Sequence, residues 1–484
     1  MERVIEKKTI KNIIKVAIGN IITLLAGVLV GFALPKIVGI TDYGYYKTFT
    51  LYASYVGLLH IGITDGIYLK YGGQKYEELE AEKEKFRLYN FLVILLDVSF
   101  SLTLCLTSFF VPNADVKFVL IALALYLIVC NIVGHFQIIS QITNRFNELA
   151  IRNIIQSILI IISISLLWIF NRYLNYEISY KVYTIIYIGI FTISAIYYLI
   201  RYRTIVFGKK AKILENKNEI GYLIKIGIPL LIANLCTGFI LNIDRQIVNI
   251  FWPVSESNVY SIYAFAYNLL SLVTIAISAI STVIYPTLKK ASEESLKENY
   301  SKLITIILSV NFLCLVLYYP LCAFITWFLP KYEESLVIFR VIFPGIVLSS
   351  TISIVMHNYY KTIGKSTLYF IFSVVILALS LISDLIVYFI FKSTIAISIA
   401  SIFCIALWYI ITDLYFIKKY NIKFFKNYSF IIVMTSAFYL LTMIENVYIG
   451  FAIHFVSTVV IVYLYNYKLV NGFIRNKIMK KEFE

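Results

Sequence analysis

The stretch Lys117-Phe118-Val119-Leu120-Ile121-Ala122-Leu123-Ala124-Leu125-Tyr126-Leu127-Ile128-Val129-Cys130-Asn131-Ile132-Val133-Gly134 holds one charge, at its edge, and no proline. At 1.5 Å per residue, about 20 such residues cross the hydrocarbon of a bilayer as a helix. Similar runs recur from end to end, at 13–35, 46–69, 88–111, 117–139, 152–171, 182–201, 222–251, 260–284, 302–329, 335–358, 366–391, 393–417, 427–445 and 448–467. With 60% hydrophobic residues and a mean hydropathy of +0.83, the chain reads as an all-α integral membrane protein of about 14 transmembrane helices.

Orientation follows from lysine and arginine in the connections, since positive charge in short loops stays on the cytoplasmic side. The connections 1–12, 70–87, 139–152, 201–221, 285–302, 359–366, 418–427 and 468–484 carry 32 of these residues, and those on the other side carry 7. An even number of spans with this bias places both termini in the cytoplasm. The net charge of +16 is then a matter of topology and of inner loops facing anionic lipid, not a footprint for nucleic acid.

The basic start (Arg3, Lys7, Lys8, Lys11) leads into an apolar run with no small-residue cleavage site after it, so the first span is expected to be retained. Cys105, Cys130, Cys236, Cys314, Cys322 and Cys404 all fall inside apolar spans without C-x-x-C spacing, which implies packing and neither disulfides nor zinc. No P-loop, G-x-S-x-G, H-E-x-x-H or G-x-G-x-x-G is present. Neither an enzyme nor a nucleotide-driven pump is implied, and no cofactor. Within 70–87, Glu80 and Glu84 with Lys83 and Lys85 suit a short solvated helix.

An internal echo links the halves. Ile14-Lys15-Val16-Ala17-Ile18-Gly19 opens the first span, and Ile224-Lys225-Ile226-Gly227-Ile228-Pro229 opens the seventh. Tyr43-Gly44-Tyr45-Tyr46 precedes the second span as Tyr260-Ser261-Ile262-Tyr263 begins the eighth. The echo suggests an N-terminal lobe over 1–201, a cytoplasmic linker over 202–221 and a C-terminal lobe over 222–417. Residues 418–484 then add two helices and a tail. Transporters built from repeated halves bind substrate between them.

The run Asn242-Ile243-Asp244-Arg245-Gln246-Ile247-Val248, with Val259-Tyr260-Ser261-Ile262-Tyr263-Ala264-Phe265-Ala266-Tyr267, resembles the seventh and eighth helices of the polysaccharide flippases of the multidrug/oligosaccharidyl-lipid/polysaccharide exporter superfamily. Thr41-Asp42-Tyr43-Gly44-Tyr45-Tyr46 is similar to that family's D/E-Y-G-x-Y motif, and Tyr332-Glu333-Glu334-Ser335 with Ile338-Phe339-Arg340 to its tenth helix. The resemblance, to O-antigen or Wzx-type flippases, covers nearly the whole chain. It implies two six-helix lobes around a central cavity plus two C-terminal helices, in the bacterial plasma membrane. Its implied cargo is an oligosaccharide on undecaprenyl diphosphate, moved from the inner to the outer leaflet. A polysaccharide polymerase and glycosyltransferases are the partners that pathway implies, beside membrane lipid.

Such a head group needs a hydrated path, because desolvating its charge and hydroxyls costs many kcal/mol. Ionisable residues inside spans are therefore the candidates. Arg245, deep in the seventh span, suits bidentate binding of a diphosphate; pairing with Asp244 as a lobe-fixing ion pair is the competing reading. Lys15 and Lys225 suit a phosphate entrance or simple snorkelling. His60 and Asp65, candidates for substrate contact or for simple helix packing, share the second span with Gly57, Gly62 and Gly66, which allow close helix approach or a bend. Asp97 stands alone among aliphatic residues; an isolated carboxyl at that depth is neutralised more readily than solvated, making it a candidate for ion coupling, and a hydrogen bond to a polar neighbour in the bundle is the competing reading. Tyr43, Tyr46, Tyr263 and Tyr267 are candidates for stacking on sugar rings. Two other functions compete with a flippase: a cation-coupled multidrug exporter, which needs an acidic cavity, and a scaffold for cell-wall assembly, in which interior substitutions are silent.

Overall fold

The computed structural model describes residues 22–57, 59–174, 178–289, 291–423 and 425–481, so Lys15 lies outside the described residues. Every regular element among them is a helix. Among the described residues, nine helices are long and apolar enough to cross a membrane, or ten counting a bent pair, Ser335–Ile342 with Gly345–Thr362, and shorter apolar helices accompany them. Over their described residues, the fourteen expected spans fall mostly on helix. The chain divides into two compact units, Met1–Ala264 and Phe265–Glu484.

The first unit holds α1 (Ile22–Ile37), α2 (Ile40–Val56), α3 (Ile63–Tyr71), α4 (Tyr76–Ala81), α5 (Lys83–Ser108), α6 (Ala114–Ile142), α7 (Phe146–Leu174), α8 (Tyr180–Arg201), α9 (Arg203–Val206), α10 (Ile213–Ile240), α11 (Ile243–Phe251) and the start of α12 (Val259–Lys289). The main packing pairs are α5 with α6, α3 with α10, and α6 with both α2 and α8. Aromatic rings fill the space between α2, α6 and α8: Phe49 meets Tyr126 edge-on at 5.6 Å, and Tyr126 stacks on Tyr187 at 5.7 Å. In the 70–87 connection Lys85 pairs with Glu82 at 3.1 Å and with Glu219 of α10 at 3.3 Å, and Glu219 also binds Lys70. The structured part of that connection is α4 and the first turn of α5.

Two expected spans of the first unit are broken among the described residues. The second span is α2 and α3, separated at 57–62, where Ile61 (φ 48°) and Gly62 (φ 75°) adopt left-handed backbone. For the β-branched Ile61 that conformation costs about 1–2 kcal/mol. It is held by packing: a Cβ on Gly62 would lie 2.8 Å from Ile228 N, and one on Gly227 would overlap Gly62 O. A Cβ on Gly66 would overlap Leu223 O. Thus α3 and α10 touch backbone to backbone, an approach that only glycine permits. The seventh span is also two helices, because the coil leaves regular geometry between α10 and α11: Asn242 N donates three residues back to Phe239 O at 2.9 Å, and Asn242 itself lies at φ −132°. The unit boundary falls inside α12, whereas the sequence reading draws its lobe boundary at 202–221.

The second unit continues with α13 (Glu293–Cys314), α14 (Tyr318–Phe328), α15 (Ser335–Ile342), α16 (Gly345–Thr351), α17 (His357–Thr362), α18 (Ser366–Phe391), α19 (Thr394–Tyr420), α20 (Phe425–Leu441) and α21 (Val447–Lys481). A 3₁₀ turn at Leu315–Leu317 joins α13 to α14, and a π-helical turn at Ile352–Met356 joins α16 to α17. Buried polar side chains pair across helices: Asn311 donates to Ser350 Oγ at 2.7 Å, and Tyr300 donates to Asp413 at 2.7 Å. Asn466 of α21 donates to Ser309 of α13 at 2.8 Å, and a Cβ on Gly450 would overlap the Tyr319 ring. The last helix is therefore fitted to this unit.

Candidate functional site

The Asp-Arg pair of the expected seventh helix lies in the first turn of α11, just after the break. Helix breaks inside a membrane leave carbonyl groups that need donors, and Arg245 supplies one: its Nη2 donates to Leu241 O at 3.1 Å. The reading of Arg245 as deep in a continuous helix is corrected accordingly. Asp244 is 2% exposed; its Oδ1 accepts the Arg245 backbone N–H at 2.7 Å and its Oδ2 accepts the Tyr263 hydroxyl at 2.8 Å. Tyr263→Phe removes that donor from a buried carboxylate and is expected to lower stability by about 1–3 kcal/mol. A lower thermal midpoint of the purified variant in detergent checks this.

A second cation faces the same place. Lys47 of α2 feels the Arg245 charge, as do the phenols of Tyr55 and Tyr260. The Lys47 ammonium lies 5.3 Å from the Tyr43 ring centroid and 6.0 Å from that of Tyr46, within cation–π reach. Tyr55 stacks on Phe239 at 4.4 Å. Asn249 of α11 donates to Thr48 of α2 at 2.9 Å, fixing the two helices beside each other. Lys47 and Arg245 are both partly exposed within this half of the molecule. Arg245 and Lys47 supply N–H donors in a tyrosine-lined setting, which suits an anion. Sequence reasoning missed Lys47 because it placed the residue in an outer loop. The helix begins instead at Ile40, and the i, i+4 spacing of Tyr43 and Lys47 was the available signal.

The tyrosine motifs meet each other. A Cβ on Gly44 would overlap the Ser261 hydroxyl, so the glycine of Asp42-Tyr43-Gly44 admits the serine of Tyr260-Ser261-Ile262. Thr41 donates to Asn258 at 2.9 Å, and Asp42 accepts the Tyr180 backbone N–H at 3.1 Å at the start of α8. Tyr43 and Tyr46 are buried, with Tyr46 edge-on to Tyr183 at 5.1 Å. Tyr263 is also buried, and Tyr267 is partly exposed on the part of α12 that belongs to the second unit. Lys225 is exposed on α10.

His60 and Asp65 come together across the break in the second span, Nε2 to Oδ2 at 3.7 Å. Asp97 is not isolated: Asn131 Nδ2 donates to its Oδ1 at 2.6 Å.

No curated protein matches the chain in sequence. Among solved structures, the lipid II flippase MurJ in an inward closed conformation is similar over 96% of this chain and 100% of its own, with a TM-score of 0.66 at 13% identity. An inward-facing multidrug resistance MATE family transporter of the MOP superfamily is similar over 83% of this chain and 98% of its own, with a TM-score of 0.60 at 12% identity. These likenesses are of fold. Residues 9–292, more than half of the chain, match the family described as polysaccharide biosynthesis protein. This multi-pass membrane protein therefore belongs to the polysaccharide biosynthesis protein family, built on the transporter fold of the multidrug/oligosaccharidyl-lipid/polysaccharide exporter superfamily.

Proposed function

We propose that the protein is a flippase that moves an undecaprenyl-diphosphate-linked oligosaccharide from the inner to the outer leaflet of a bacterial plasma membrane by alternating access. Both termini are cytoplasmic in this reading, on the 32-to-7 bias of basic residues between the two sets of connections. The observation that carries the cargo class is the placement of Lys47 and Arg245 on α2 and α11, helices held together by the Asn249–Thr48 hydrogen bond at 2.9 Å, within a family of polysaccharide biosynthesis. A diphosphate meets two positive charges there, with Arg245 offering a planar fork and Lys47 a point charge. Tyr43, Tyr46 and Tyr263 of the first unit, with Lys225, complete the proposed path, and Tyr267 and Lys15 stay with it as candidates from the sequence. The lobes are proposed as spans 1–6 and 7–12, followed by two further helices. A polymerase and glycosyltransferases would receive and supply the cargo.

A multidrug exporter has the same fold behind it, but the cationic character at Lys47 and Arg245 disfavours cationic drugs. Reconstitution tests the proposal: purified protein in liposomes loaded with a fluorescent undecaprenyl-diphosphate oligosaccharide is expected to expose inner-leaflet label to an external quencher. Labelled lipid that stays protected at the rate of protein-free liposomes overturns the reading. Lys47→Ala is expected to slow that movement about tenfold, the equivalent of roughly 1.4 kcal/mol, with Lys47→Arg retaining most of it.

A further inference from the structure

The break in the second span gathers titratable groups that the cargo site does not use. His60 is 8% exposed and Asp65 5%. Among the described residues, His60 Nδ1 and Asp65 Oδ2 are buried with no hydrogen-bond partner, and the two side chains face each other at 3.7 Å. Closing that gap by about 0.8 Å makes an ordinary N···O hydrogen bond. Beside them, Asn131 Nδ2 donates both to Asp97 Oδ1 at 2.6 Å and to Val56 O, at the end of α2, at 3.3 Å. Asp97 is 0% exposed, and its Oδ2 also has no partner.

The neighbouring histidine is already spoken for. Asn90 Nδ2 donates to Ile205 O at 2.8 Å, which turns its Oδ1 toward His135 Nε2 at 2.6 Å. An amide oxygen only accepts, so Nε2 carries the hydrogen and Nδ1 accepts from the Thr64 hydroxyl at 2.9 Å. His135 is thus neutral with both nitrogens satisfied. From α10 the break meets backbone at Gly227 and Ile228, and Lys225 is exposed on that helix. Lys70, at the other end of α3, is engaged with Glu219.

We propose that the break between α2 and α3 is a proton-binding site, in which one proton is held between the Asp65 carboxylate and the His60 imidazole. The proton comes from water, forms the O–H bond on Asp65 Oδ2 and is hydrogen-bonded to His60 Nε2; unloading returns it to water and leaves the carboxylate. Loading makes the pair neutral overall, removing an anion that costs several kcal/mol at this depth. A sodium ion fits the pair less well, because hard cations take several oxygen ligands and one face here is an imidazole. Asp97, tied through Asn131 to Val56 O, sets the other edge of the same break, so proton loading acts where the second span is already bent. The inference does not depend on the identity of the cargo.

Difference infrared spectroscopy of the purified full chain, between about pH 5 and about pH 8 where histidine ordinarily titrates, tests it without cargo. The wild-type protein is expected to show a protonated-carboxyl C=O band that Asp65→Asn removes. His60→Gln is expected to shift that band to higher frequency, because the imidazole hydrogen bond is lost. The same band in Asp65→Asn overturns the proposal, as does its disappearance when sodium replaces choline in the buffer. Should Asp65→Asn not fold, the frequency in His60→Gln decides: an unshifted band overturns it.

Discussion

Arg245→Ala is expected to abolish export of surface polysaccharide in cells while the amount of inserted protein stays unchanged. The guanidinium donates to Leu241 O at the break of the seventh span and shares its surroundings with Lys47, Tyr55 and Tyr260. A hydrogen bond to a charged group contributes about 1.5–3 kcal/mol, so losing one to a diphosphate weakens cargo binding roughly 10- to 100-fold. Arg245→Lys keeps the charge and loses the fork, and is expected to fall between the two. Normal export by the alanine variant removes Arg245 from the cargo site. A fall in protein level matching the fall in export instead assigns it to holding α10 against α11.

The second large effect is one of packing. Gly227→Val places a branched side chain where even a methyl overlaps Gly62 O and where Gly66 N also lies close. Those atoms are backbone and cannot rotate away, so the helices must separate, at a cost of about 3 kcal/mol or more. The expected result is a lower thermal midpoint in detergent and poor recovery of monodisperse protein. Gly221→Ala, on the same helix with nothing near its added carbon, is the control. Alanine is preferred over glycine in a helix by about 1 kcal/mol, so that variant is expected to be neutral or slightly stabilised. A destabilised Gly221→Ala, or an unaffected Gly227→Val, contradicts the backbone contact.

The spans were legible because length and apolarity are one-dimensional properties: a stretch such as 117–139 needs no partner to declare itself. The glycines of the second span also announced their role, and Gly62 and Gly66 do admit a neighbouring helix. What hydropathy does not carry is a break. At Asn242 the seventh span leaves regular helical geometry inside a stretch that reads as one long run, so Arg245 looked like a mid-helix charge. Lys47 was lost the other way, since it stood at the very edge of the expected 46–69 span and was counted with the outer connection 35–47, although α2 starts at Ile40. Partners distant in sequence were out of reach altogether. Asp97 looked solitary until α6 brought Asn131 to it, and Asp244 looked paired with its neighbour until α12 brought Tyr263.

The π-helical turn at Ile352–Met356 accommodates one residue more than an α-helical path would need, as a wider ring does in an otherwise regular coil. Removing a single amino acid there is expected to tighten the coil to ordinary pitch while His357, Asn358, Tyr359 and Tyr360 keep their present directions. The tenth span thus holds a spare position, and a shortened chain should still assemble.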